Sequence, residues 1–158
     1  MEEKSESRRD RRHLKALLDA AGYTSTRHGD VGYNVQFGGK YRGWEVRVGL
    51  RNGWLTFTVY FMHLPEVGAV RNRLFERVCE INDAMSISKF VKFEDSLTLD
   101  MEYRAEHVDS EALASLIGLL CNNAEQYYPE IFRIVTGEET LATLQEAYGR
   151  VALPKGAD

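Results

Sequence analysis

Glu80–Ile131 reads EINDAMSISKFVKFEDSLTLDMEYRAEHVDSEALASLIGLLCNNAEQYYPEI, and its alternation decides the fold. A helix ends near Ala84. Two strands follow, over about Ile87–Glu94 and Leu97–Tyr103, joined at Asp95-Ser96. On the second, Leu97, Leu99, Met101 and Tyr103 point one way and Thr98, Asp100 and Glu102 the other, the period of a half-buried antiparallel strand. Asp109 then offers an N-cap, with Glu111 in the first turn to complement the helix dipole. Leu113, Leu116, Ile117, Leu120, Cys121 and Ala124 make one apolar helical stripe. Pro129 is expected to restart a short helix at its first position.

Working outward, Leu14, Leu17, Leu18 and Ala21 set a first helix over about Ser7–Ala21, stopped by Gly22. Three strands are expected next. Val31, Tyr33, Val35 and Phe37 share one face of the first, and Gly38-Gly39 turns it. Trp44, Val46, Val48 and Leu50 line the second. Asn52-Gly53 is a strong hairpin signal, because both residues tolerate the positive φ of a tight turn. In the third strand Leu55, Phe57, Val59 and Phe61 face one side, while Trp54, Thr56, Thr58 and Tyr60 face the other. Val70, Leu74, Val78 and Ile81 give a helix over about Val67–Ala84, widened by Phe75 and Cys79. Thr136-Gly-Glu-Glu139 reads as a capping box for a last helix over about Glu138–Tyr148. The expected order is αβββαββα plus C-terminal helices: an α+β fold with helices on a mainly antiparallel five-stranded sheet. Residues 1–7 are expected to be disordered, 8–150 to form one domain and 151–158 a tail.

That order resembles the YbjN family, a group regarded as bacterial sensory-transduction regulators. The residues that carry the resemblance are Leu17–Tyr23 (LLDAAGY), Glu80–Asn82 (EIN), Lys89-Phe90, Leu97–Glu102 (LTLDME) and Ala124–Pro129 (AEQYYP). It spans about residues 14–135. The family fold is similar to that of type III secretion chaperones: small, mostly acidic, homodimeric proteins that hold extended client segments on sheet and helix surfaces. The resemblance implies a binding module without ATP, metal or catalysis, and no active site to carry over. The arginine-rich first helix departs from the acidic chaperone pattern.

The 158 residues carry 20 Lys/Arg and 24 Asp/Glu, a net charge of -4 that gives no bulk attraction to nucleic acid. The charge is unevenly placed: residues 1–93 sum to +5 (16 basic, 11 acidic) and 94–147 to -10 (2 basic, 12 acidic). Cys79 and Cys121 lack any CxxC or Cys/His ligand spacing and read as buried free thiols of a cytoplasmic protein. The N-terminus lacks the apolar core of a signal peptide, and no stretch has the length of a membrane span.

No catalytic constellation is visible. Asp100 and Glu102 share a strand face without a His or third acid nearby. His13, His28, His63 and His107 form no HxH or HExxH motif. The glycines of Phe37–Gly43 lack P-loop spacing, and Ser86, Ser88 and Ser96 lack a GxSxG context. These readings leave no enzyme, cofactor or metal site.

What remains is a surface. Trp54 and Tyr60 lie opposite the core-facing residues of their strand, so the second sheet face and part of the second helix are expected to form an interface. The residues expected there are Trp54, Tyr60, Arg71, Leu74, Phe75 and Phe90, closing a homodimer or receiving an unidentified protein client. The alternative is a regulator that binds nucleic acid or a small ligand through Arg8-Arg9-Asp10-Arg11-Arg12 and Lys15.

Overall fold

The computed structural model describes residues 2–30 and 32–137, with side chains from residue 9 onward. The helix expected over Glu138–Tyr148 and the tail lie outside the described residues. These residues form α1 (Glu2–Ala20), β1 (Ser25–His28), β2 (Gly32–Gly38), β3 (Gly43–Arg51), β4 (Trp54–His63), α2 (Ala69–Ala84), β5 (Ser88–Phe93), β6 (Ser96–Arg104), a 3-10 turn (Ala105–His107) and α3 (Ser110–Thr136). The six strands make one antiparallel sheet in the order β1-β2-β3-β4-β6-β5.

The α+β class holds, with six strands in place of the expected five. The extra strand, β1, reads Ser-Thr-Arg-His and buries none of its residues, so it has no hydrophobic period to betray it. Its backbone pairs with β2 from Ser25↔Val35 to His28↔Gly32. α1 starts at Glu2, five residues ahead of expectation. No Gly or Pro interrupts Glu2–Arg12, and two acids open the helix where its dipole favours them.

Pro129 restarts nothing. It lies inside the continuous α3 and is buried. A proline in a helix interior costs about 3 kcal/mol, through the lost N–H bond and a ring clash. The turns around it bury Tyr128 and Ile131 and pack Phe132, Ile134 and Val135 against the core, which offsets that cost. Asp109 caps α3 as expected, accepting the Ala112 N–H at 2.8 Å. Gly137 closes it in the left-handed region (φ 71°).

The helices cover one sheet face. Leu14 and Leu18 of α1, Leu74, Val78 and Ile81 of α2, and Leu113, Ile117, Leu120 and Ala124 of α3 join the inward residues of the strands in one core. At its centre Trp44 stacks on Phe61 at 5.6 Å, and Tyr128 meets both edge-on at 5.5 and 5.6 Å. Arg77 clamps α2 to α3, with two bonds to Glu130 (2.6 and 3.2 Å) and one to Glu80 (2.7 Å). These bonds raise the Arg77 pKa above its ordinary value. The Asn52-Gly53 turn has φ of 52° and 75°, as its hairpin requires.

Candidate functional site: the open sheet face

Period-two alternation turns every second strand residue away from the helices. No helix covers that outer face among the described residues. Strand register orders it into rows. Trp54 lies beside Arg51 and Arg104, Thr56 beside Gly49 and Glu102, Thr58 beside Arg47 and Asp100, and Tyr60 beside Thr98. On the far strand Thr98 neighbours Val91, and Ser96 neighbours Phe93.

The rows differ in chemistry. On β2 and β3, Asn34 and Gln36 donate to the two oxygens of Glu45 at 3.1 and 3.0 Å, a hydrogen-bonded polar surface. In the middle, Asp100 is half-buried, and one of its oxygens has no hydrogen-bond partner. Burial pushes its carboxyl above the usual range, opposed by the Thr98 and Thr58 hydroxyls and reinforced by the charge of Glu102. At one end Trp54 is 41% exposed, with the Arg104 guanidinium 4.7 Å over its ring. Six residues along β4, about 20 Å away at strand rise, Tyr60 (46% exposed), Val91 (39%) and Phe93 (63%) make an apolar corner.

The six residues expected at an interface divide. Trp54 and Tyr60 lie on this open face. Leu74 and Phe90 do not reach a surface: Leu74 is fully buried, and Phe90 packs edge-on against Phe61 at 4.9 Å. That corrects their assignment, and the cause is geometric. β5 presents Phe90 inward and therefore Val91 outward. Phe75 is partly buried on α2, under the Arg71 guanidinium at 5.8 Å. Arg71 is itself largely buried, its terminal nitrogen 3.8 Å from Asp95 in the turn after Phe93 and its Nε without a hydrogen-bond partner. Val91 and Phe93 join the open face because α2 packs beside β5 and takes Phe90 inward, a choice that strand alternation alone leaves open.

Among the described residues no three His, Cys, Asp or Glu groups are placed to hold a metal. Cys121 is buried, its thiol pushed up to about 12 by burial and the Glu125 charge. Cys79 is exposed, contrary to expectation, because it sits beyond the Leu74–Val78–Ile81 stripe of α2. No described helix is long and apolar enough to cross a membrane.

Two resemblance motifs prove structural. Glu125, in AEQYYP, accepts the backbone N–H of Lys40 (2.9 Å) and Tyr41 (3.3 Å) and the indole N–H of Trp44, tying the β2–β3 turn to α3. Asn82, in EIN, pairs its amide with the Phe90 backbone, accepting at 2.7 Å and donating at 2.9 Å. It blunts the outer edge of β5 as a strand would. Lys89 donates to the Asn82 and Met85 carbonyls at the end of α2.

No family model matches the chain, and no curated relative does. Solved structures do. YbjN of E. coli superposes with a TM-score of 0.59 at 13% identity, over 75% of this chain and 88% of that one. The fold is that of YbjN and of type III secretion chaperones. A chain of the ExoU–SpcU heterodimer, from the type III secretion system of Pseudomonas aeruginosa, gives 0.54 at 16% identity over 79% and 99%. A chain of the HopA1–SchA chaperone–effector complex gives 0.52 at 9% over 73% and 93%.

Proposed function

We propose that the chain is a non-enzymatic, chaperone-like or adaptor protein of the cytoplasm that binds a partner protein through sheet and helix surfaces, as a homodimer. The observation that carries this reading is the one-sided sheet. Its outer face exposes Trp54, Tyr60, Val91 and Phe93, residue types that supply buried area in interfaces. Two structural neighbours are chains from protein complexes, one of them chaperone with effector, which supports the same reading. Arg71 and Phe75 act at the rim, next to the β5–β6 turn.

Light scattering on the free protein and on a Trp54→Ala, Tyr60→Ala variant, alongside affinity capture with mass spectrometry, tests it. The expected result is a dimer whose mass, or whose specific partner, is lost in the variant. A monomer with no protein partner in both forms sinks the reading. The second reading, a regulator that binds nucleic acid or a small ligand through the basic N-terminal region, draws on the exposed Arg9 and Arg12 of α1. A nucleic acid complex made there should weaken steeply with added salt.

A further inference from the structure

The central row of the open face carries opposite charges on the two sides of β4. Strand register sets Arg47 of β3 beside Thr58 of β4, and Thr58 beside Asp100 of β6. Arg47 lies between the core residues Val46 and Val48, and Asp100 between Leu99 and Met101, so both side chains leave the sheet on its outer side. Their backbones stand two strand steps apart, about 10 Å. The two charges are not joined within the chain. Arg47 is exposed and makes no ion pair or side-chain hydrogen bond with a described residue. Asp100 keeps one oxygen without a hydrogen-bond partner. Lys89, next to it in register, donates instead to the Asn82 and Met85 carbonyls. The face is also large enough for a stable contact. Six strands about 4.8 Å apart and nine residues long at its centre give it roughly 700 Å². A stable interface takes about 800 Å² from each partner.

We infer that two copies of this chain stack their open faces about a two-fold axis along β4, so that Arg47 of each copy pairs with Asp100 of the other. The inference rests on the homodimer reading and adds to it the axis and the pairing. An axis lying in the interface along β4 exchanges its two sides, setting β3 of one copy over β6 of the other, row for row. Arg47 then meets Asp100 twice. In the next row Glu102 meets Gly49, which has no side chain to obstruct it. The like charges Arg51 and Arg104 flank Trp54 two rows from the centre. Packed sheets cross at about 30°, which keeps the central row in register and carries that end row about 7 Å aside.

Sedimentation equilibrium on the full chain tests it, with Arg47→Asp and Asp100→Arg made singly. Each variant sets like charges against each other at both contacts, and dimerisation should weaken about a hundredfold. Mixed in equal amounts, the two variants should form a mixed dimer near wild-type strength, because each contact in it again joins opposite charges. Should circular dichroism show Asp100→Arg unfolded, Asp100→Asn takes its place, and its mixed dimer must be tighter than the Arg47→Asp homodimer. A wild-type chain that stays monomeric overturns the inference together with the homodimer reading. A dimer indifferent to Arg47→Asp overturns the inference alone and moves the contact elsewhere. Weakening in both variants without recovery on mixing also overturns it, since the pair would then act within one chain.

Discussion

At the scale of single residues, the tightest constraint is Gly39. A Cβ built there would lie 2.6 Å from the Arg42 carbonyl and 2.6 Å from the Trp44 indole nitrogen, and would also strike the Glu125 carboxylate. Glu125 can swing away, but a backbone oxygen and a buried indole cannot. Gly39→Ala should therefore destabilise the fold by about 1–3 kcal/mol, the cost of overpacking. Glu125→Ala should cost about as much, through three lost bonds to an ionised acceptor. Urea unfolding of each variant checks both, and unchanged midpoints would refute the latch. The sequence displays Gly38-Gly39 as a turn and Glu125 as part of a motif. It cannot display their union, because Glu125 and the Lys40 N–H that it accepts stand 85 positions apart. Asp100 adds a signed prediction. Its carboxyl is raised in the folded state, so folding favours its proton. The contribution is full below the unfolded pKa of about 4 and is lost as pH rises through the higher folded value. Asp100→Asn should thus gain stability over wild type as pH goes from 3 to 7. Denaturation curves at the two ends decide it, and a gap that shrinks with pH would contradict the burial argument.

At the scale of elements, legibility followed burial. β3 and β4 alternate buried with more open residues, β6 buries Leu97, Leu99 and Met101, and the ends of all three lie within two residues of expectation. β1 has no such contrast, and α3 hides its continuity behind Pro129. Strand position was readable where orientation was not. Phe90 and Val91 are both good strand residues, and only the placement of α2 beside β5 decides which one turns inward. Asn82 joins those two elements. Asn82→Ala leaves the Phe90 N–H and carbonyl without partners on a partly buried edge, at a cost of about 1–3 kcal/mol. Chemical denaturation measures it, and hydrogen exchange should quicken at Phe90 first. On α2 and α3 the two thiols should separate. In the native chain a thiol reagent should modify Cys79 alone, and Cys121 should react only after unfolding. Equal native reactivity would mean that α3 opens readily.

At the scale of the whole molecule, everything turns on a sheet covered on one side. The two phenylalanines of β5, three residues apart, sample both sides. Phe90→Ala removes a core ring and should cost about 3–5 kcal/mol. Phe93, 63% exposed, makes no such contribution within one chain, so Phe93→Ala should shift monomer stability by no more than about 0.5 kcal/mol. The difference between chain and assembly then becomes measurable. If two copies close over the Tyr60–Val91–Phe93 corner, the folded dimer is stabilised by mass action, and Tm must rise with protein concentration. A Tyr60→Ala, Phe93→Ala variant should lose that rise while keeping the wild-type Tm at high dilution, because neither ring belongs to the core. Thermal scans over a hundredfold range of concentration separate the cases. A Tm independent of concentration in the wild type would show that the open face is not closed by a second copy, and would reserve it for a different protein.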